Sequence, residues 1–244
     1  MERLQYKVMS DVEENHFWFK GMRLISKSIL AKYLKSKDNY ILDAGCGTGG
    51  NFNFLSQFGK VVGIDISEYA VKLAKQKGIT NIKKGSINKI PYPDNSFDLI
   101  TCFDVLGQKQ VKEGKCLTEI HRVLKPNGLF LLRQAAYKWL YSNHDIKAQS
   151  SRRYTQKTLI KLLKNKKFLP LKKTYANTIL FPLISIRRLF FKVFKIKSLK
   201  TDVQPVSKVL NFLFFLPFIV ENFIIKFVDI PFGLSVIIVA QKKQ

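Results

Sequence analysis

Cysteine, histidine and acid are all scarce in this chain. The three cysteines among 244 residues, Cys46, Cys102 and Cys116, stand at unrelated spacings with no C-x-x-C pair. That excludes a disulfide framework and a thiolate metal site, and it leaves them as small apolar residues of a reducing compartment. No metal is expected. A spanning helix needs about 20 consecutive apolar residues, and no such run occurs. The nearest is 209–220, twelve uncharged and mostly apolar residues broken by Pro217. The first 18 residues carry Glu2, Asp11, Glu13 and Glu14 and no uninterrupted apolar stretch, so no signal peptide is expected and the chain is placed in the cytoplasm. There is no internal repeat and no low-complexity tract. Acid is the largest deficit: 17 Asp+Glu face 42 Lys+Arg, net +25. Residues 1–150 hold 23 basic and 14 acidic residues, net +9, while 151–244 hold 19 and 3, net +16. The positive charge is therefore concentrated in the C-terminal part.

The most informative stretch present is Ile41-Leu-Asp-Ala-Gly-Cys-Gly-Thr-Gly-Gly50, an apolar strand ending in Asp43 that runs into a glycine turn and then a helix. Glycines let the backbone turn tightly and approach a ligand where a Cβ would collide, and the following helix presents free N–H groups. The next apolar strand, Lys60-Val-Val-Gly-Ile-Asp65, ends in a carboxylate 22 residues after Asp43 (65 − 43), a spacing that suits an acid accepting both ribose hydroxyls. Gly45-x-Gly47-x-x-Gly50 also satisfies the dinucleotide fingerprint. Asp43 argues against that cofactor, since a carboxylate two residues before the first glycine repels a pyrophosphate, whereas S-adenosylmethionine carries an ammonium and a sulfonium and no phosphate.

From 40 to 133, strand-like and helix-like runs alternate, the pattern of a doubly wound parallel α/β sheet. The segments Gly85-Ser-Ile-Asn-Lys-Ile-Pro-Tyr-Pro-Asp-Asn-Ser-Phe-Asp-Leu-Ile100 and Leu124-Lys-Pro-Asn-Gly-Leu-Phe-Leu-Leu132, with the glycine turn, resemble the class I S-adenosylmethionine-dependent methyltransferases, of the bacterial small-molecule and envelope kind known as methyltransferase type 11. The resemblance implies a Rossmann-like, seven-stranded, mostly parallel sheet with helices on both faces and an antiparallel last strand. It reads Leu124-Lys-Pro-Asn-Gly as a helix end and turn before strand five. It implies that Gly45 and Gly47 pack on the methionine part, Asp65 and Ile66 on ribose and adenine, Ser86 and Ile87 on the adenine edge, and Phe103 beneath the cofactor, with Asp43 completing the set. Asp98, at the start of a strand, is expected to staple the sheet. Two departures stand out: Ser86 replaces the family's usual acid, and Asp104-Val-Leu-Gly-Gln108 replaces Asp-Val-Leu-Glu-His. A protein that binds the cofactor without transferring its methyl group is therefore a second reading.

Three parts are expected. Residues 1–38 form a helical cap over the cofactor pocket, where Phe17, Trp18 and Phe19 either close over the cofactor or pack the helix on the sheet edge; His16 is open between the same alternatives. Residues 39–174 and 235–244 form the core. Residues 175–234 are an insertion that is basic, amphipathic and apolar. On a helix from Arg187 to Lys200, Arg188, Lys192 and Lys195 form one stripe, and Ile186, Leu189, Phe190, Val193 and Phe194 the other, which suggests an anionic membrane surface. Burial of that apolar face in the core or a dimer is the alternative. RNA, the other partner a net +25 suggests, ranks below lipid because no RNA-binding module is recognisable.

Ligands in open α/β sheets bind beyond the carboxyl ends of the strands. After strand five the chain reads Gln134-Ala-Ala-Tyr-Lys-Trp-Leu-Tyr-Ser-Asn-His-Asp145 and then Ser151-Arg-Arg-Tyr-Thr155, similar to segments of methyltransferases met among cell-envelope and glycolipid genes. His144, steered by Asp145, is the candidate base, with a helix-capping role for the pair as the alternative. Arg152 and Arg153 are candidates to hold a phosphate or carboxylate of the acceptor, and Tyr137, Trp139 and Tyr141 to form its apolar wall. His121 is expected to be structural. The expected activity is methyl transfer, O-methylation foremost, to a small or lipid-linked acceptor such as a polyprenyl, quinone or glycolipid precursor. An RNA methyltransferase is the remaining alternative.

Overall fold

The computed structural model describes residues 3–194 and 204–243. In chain order the elements are α1 (Arg3–Val12), α2 (Phe17–Tyr33), β1 (Asn39–Ala44), α3 (Phe52–Leu55), β2 (Gly59–Asp65), α4 (Glu68–Gln76), β3 (Ile82–Lys84), β4 (Phe97–Phe103), α5 (Glu113–Val123), β5 (Leu124–Ala135), a 3₁₀ turn (Lys138–Leu140), α6 (Asn143–Lys147), α7 (Gln156–Lys164), β6 (Phe168–Ala176), α8 (Phe181–Val193), α9 (Lys208–Ile224) and β7 (Ser235–Lys242). The seven strands pair in the order β3-β2-β1-β4-β5-β7-β6. β7 is antiparallel to both neighbours; the β3-β2-β1-β4-β5 pairs are parallel. The continuous apolar runs of β1, β4 and β7 are buried on both faces, as strands covered by helices on either side must be. One core holds Leu42, Phe97, Ile100 and Phe130 with α5 and α7; the other holds Ile41, Leu99 and Leu131 with α2, α3 and α9.

Asp98 staples the foot of the sheet as expected, accepting from Tyr40 N on β1 (2.8 Å) and pairing with Lys125 Nζ on β5 (2.9 Å). Three local expectations change. Leu124-Lys-Pro-Asn-Gly is already strand: Leu124 pairs with Phe97, and the register then shifts before Leu99, because Asn127 takes a left-handed φ of 62° and the extra residues fold into a bulge. Pro217 does not break the chain, since α9 runs through it; the next residue, Phe218, is buried with its ring on Gly21 of α2, and this packing holds the helix across the lost hydrogen bond. The basic helix spans Phe181–Val193 rather than starting at Arg187, and Lys195 lies outside the described residues.

β5 and β6 both end, and β7 begins, at the sheet edge where β1, β2 and β4 have their carboxyl ends. The 177–234 segment therefore leaves and re-enters the sheet at that edge. α9 then returns along α2, where Asn211 Oδ1 accepts from Phe17 N (2.6 Å) and Asn211 Nδ2 donates to Asn15 O (2.7 Å).

Candidate functional site

Strand order reverses between β1 and β4, the place where open α/β sheets leave a crevice. The turn after β1 lies there. Gly45 and Gly47 have φ of +82° and +56°; a Cβ on Gly45 would overlap Val105, and one on Gly47 would come 3.0 Å from Met9 Cε. Beneath the turn, Asp43 is 1% exposed and accepts from Thr101 Oγ1 (2.7 Å) and Asn51 Nδ2 (3.4 Å). Burial raises its pKa to about 6 against the pull of those hydrogen bonds. Asp43 thus lies below the loop and contributes charge there rather than contact.

Asp65, at the end of β2, holds the loop from the other side. Its carboxylate accepts from Gly47 N (2.9 Å), Ser67 N (2.8 Å) and Tyr6 Oη of α1 (3.3 Å). Burial pushes its pKa up, and the two backbone bonds oppose that rise. Ile66 is 46% exposed beside it. Ser86 Oγ accepts from Asn88 N (3.2 Å), while Ile87 is buried. α1 lies across the loop: Tyr6 is buried on Asp65, Met9 reaches Gly47, and the following Glu13 accepts from Thr48 Oγ1 (2.6 Å) and pairs with Lys77 (2.7 Å). These α1 contacts are not legible in the sequence, because Tyr6, Met9 and Glu13 carry no motif and meet the loop only through folding.

Two arginines overlooked in the sequence stand near the turn. Arg133 of β5 is buried and forks Asp104 Oδ2 through Nε (3.0 Å) and Nη2 (2.8 Å), with its guanidinium over Phe103 (4.6 Å) and Trp18 (5.2 Å). Arg23 of α2 donates to Gly50 O (3.3 Å) and Glu14 O (2.9 Å). Burial lowers its pKa, and Arg133 adds a repulsive contribution, so the two cations are within electrostatic reach of each other. The aromatic segment has more than one kind of partner, and Phe17 and Trp18 both pack against a core cluster. Phe17 packs on Phe214 and Phe218 of α9, whereas Trp18 faces Arg133. His16 caps α2, accepting from Trp18 N (3.2 Å), and burial pushes its pKa down.

Beyond β5 the structure changes several expectations. Both carboxylate oxygens of Asp145 have partners other than His144. Successive residues on a helix point about 100° apart, and the Asp145 carboxylate instead caps α6 through Ser142 N (2.8 Å) and pairs with Arg153 through Nε (2.8 Å) and Nη2 (3.0 Å), both partners buried. Arg153 donates its remaining fork to Ala136 O (2.9 Å). Arg152 Nη2 donates to the carbonyls of Leu106 (3.2 Å), Gln108 (2.8 Å) and Val111 (2.7 Å). Arg153, whose side chain is 4% exposed, is committed to the fold, whereas Arg152 staples the chain through Nη2 and its side chain stays 34% exposed. That staple also accounts for Gly107 in place of the family's Glu, since a Cβ there would come 2.7 Å from Arg152 O. Tyr141 turns away and donates to Ser150 O (2.8 Å). Tyr137 and Trp139 (43% exposed) stack on each other and meet Phe181, which in turn touches Phe232; the sequence reading did not include the last two. His121 packs edge-on against Phe168, away from the site.

Residues 42–132 match the model of a methyltransferase domain family. A sterol 24-C-methyltransferase of Gibberella zeae is 35% identical over 125 residues, 46% of this chain and 32% of its own. A demethylmenaquinone methyltransferase of Symbiobacterium thermophilum is 30% identical over 142 residues, 54% of this chain and 55% of its own. The match therefore spans about a third to a half of these curated relatives. The solved geranyl diphosphate C-methyltransferase of Streptomyces coelicolor A3(2) has the same fold, with a TM-score of 0.57 at 14% identity over 89% of this chain and 76% of that one.

Proposed function

We propose, on the footing that residues 42–132 are a class I S-adenosylmethionine-dependent methyltransferase domain, that the protein methylates a small apolar or lipid-linked acceptor at oxygen, in the cytoplasm at or near a membrane surface. The observation that carries this reading is the glycine turn at the strand-order reversal, bracketed by Asp65 and underlain by Asp43. Those carboxylates, with Glu13 beside the turn, suit a cofactor bearing cations and disfavour a pyrophosphate. When bound, S-adenosylmethionine supplies a methyl carbon activated by its sulfonium. Asp65 would accept from the ribose hydroxyls once Tyr6 gives up its bond, Ile66 would cover the adenine, and Arg23 with Arg133 would balance the cofactor's carboxylate.

Tyr137, Trp139, Phe181 and Phe232 would receive an apolar acceptor beyond β5 and exclude water from it. His144 would take the proton of an acceptor hydroxyl. The names of the sterol and demethylmenaquinone relatives support an apolar acceptor class. Calorimetry with S-adenosylmethionine tests the cofactor. A tritiated-methyl assay on extract, split into lipid, small-molecule and RNA fractions, tests the acceptor, with label expected as a methyl ether in the lipid or small-molecule fraction. Label in RNA overturns the acceptor class, and cofactor binding with no label anywhere identifies a binding protein instead.

A further inference from the structure

A helix on the surface of a water-soluble protein normally turns its polar residues outward; α9 does the reverse. Apart from Lys208 at its start, its polar side chains face the protein. Glu221 is buried and accepts from Asn177 N (2.5 Å) and Thr178 N (2.8 Å), Asn222 is buried, and Asn211 holds the start of α2. The outward side reads Val209 (69% exposed), Phe212 (61%), Leu216, Ile219, Val220 and Phe223 (65%), a spacing that forms one continuous helical stripe. α8 repeats the pattern with Leu183, Ile186, Phe190 and Val193, all exposed. Scattered exposed apolar residues are ordinary, but a continuous stripe along each of two helices marks surface built to be covered.

The charges around these stripes indicate what covers them. Lys208 and Lys226 flank α9, and Arg187 and Lys192 lie on α8, all four exposed. Among the described residues from 178 to 228 the single carboxylate is the buried Glu221. A second copy docking through the same face would bring these cations against one another, and the next described acid, Asp229, is already paired with Lys172 (2.7 Å). Anionic headgroups meet them with the opposite charge. Arg188 is not one of these contacts, because its Nη1 donates to Leu140 O (2.9 Å) in the 3₁₀ turn. Among the described residues no helix is long and apolar enough to cross a membrane, so α8 and α9 would lie in the plane of the interface.

We infer that the outer faces of α8 and α9 dock the protein on an anionic lipid bilayer, and that this docking presents the aromatic wall to acceptors held in that bilayer. The second half rests on the proposed transfer to a lipid-linked acceptor. Its basis is position: α8 begins at Phe181, which touches both Tyr137 (5.7 Å between ring centres) and Trp139 (6.1 Å). The start of α8 is therefore in contact with the acceptor wall.

The test is sedimentation of the full chain with vesicles of mixed phosphatidylglycerol and phosphatidylcholine, and with phosphatidylcholine alone. Strong pelleting with the anionic vesicles and little with the neutral ones is expected. Phe212→Asp with Phe223→Asp should cut the partition coefficient about tenfold or more, because inserted apolar area is lost. Lys208→Glu with Lys226→Glu should do the same through charge, and it leaves the fold intact should the first pair disturb it. Unchanged S-adenosylmethionine binding checks that each variant is folded. Wild type that ignores anionic vesicles at low salt, or folded variants that bind as tightly as wild type, overturns the docking. So does a stable dimer that binds no vesicles and that Phe212→Asp with Phe223→Asp converts to a monomer. A chain that binds vesicles yet methylates nothing fails the proposed function alone; one that methylates a detergent-dispersed acceptor but ignores vesicles fails the docking alone.

Discussion

Asp65 is one carboxylate that holds the fold and, in the proposed function, would also hold the cofactor ribose. Its three donors, Gly47 N, Ser67 N and Tyr6 Oη, fix the glycine turn before any ligand arrives. Asp65→Ala is expected to weaken S-adenosylmethionine by about 1–3 kcal/mol in calorimetry, through the loss of charge-assisted bonds to the ribose; wild-type affinity would remove the site from this loop. Tyr6→Phe should act in the opposite sense. The Tyr6 hydroxyl occupies an oxygen that the ribose needs, and deleting it should tighten binding by about 1 kcal/mol. Asp43 gives a pH prediction. Burial raises its carboxyl to about 6, so the folded chain holds a proton that the unfolded chain has released. Stability from this residue is then present at low pH, falls from about pH 4 to pH 6 and is gone above. In urea titrations, the stability of Asp43→Asn relative to wild type should rise by roughly 3 kcal/mol from pH 4 to pH 7. A difference that stays constant with pH would refute it.

Between elements, two contacts decide how the helices sit on the sheet. The buried Arg153–Asp145 pair ties α6 to the segment leading into α7. Arg153→Met would leave a buried carboxylate without its cation, which costs about 3–5 kcal/mol, whereas joining it with Asp145→Leu should recover most of the loss. Chemical denaturation of the single and double variants separates this structural role from acceptor binding, for which the pair would show its effect in KM. The second contact is Gly21 of α2 beneath the Phe218 ring of α9. Gly21→Ala forces the ring away and should destabilise the fold by about 1–3 kcal/mol. The sequence carries the raw material for both contacts without indicating them. Arg152 and Arg153 read as anion ligands because they stand in an acceptor-like segment, and only the packing shows that Arg153 is committed to Asp145 and that Nη2 of Arg152 is committed to three carbonyls.

For the whole molecule, net +25 is a statement about association rather than fold. Any binding to RNA through that charge should fall steeply with salt, by about a thousandfold or more between 50 and 200 mM if six or more phosphates are contacted. Methylation of a detergent-dispersed apolar acceptor should change little over the same range, since the Tyr137–Trp139–Phe181 wall is uncharged. Equal salt sensitivity of the two would mean that the acceptor itself is polyanionic.

The antiparallel last strand followed from the family resemblance, while the strand periodicity, the glycine turn and the 22-residue spacing to Asp65 by themselves determined a doubly wound sheet and the place of the glycine loop. These are legible because they follow from local rules: burial of alternate or continuous apolar residues, and backbone angles that only glycine adopts easily. Tertiary structure alone decided which polar groups remain available. It placed Tyr6 on Asp65, paired Asp145 with Arg153, and brought Arg133 and Trp18 together from distant parts of the chain. It also decided which side of α9 meets water, because a helix apolar on nearly every face has no preferred inward side until Glu221 and Asn211 find their partners. Hydrogen-bond partners distant in sequence leave no periodic trace, so this part of the site had to be read from the folded chain.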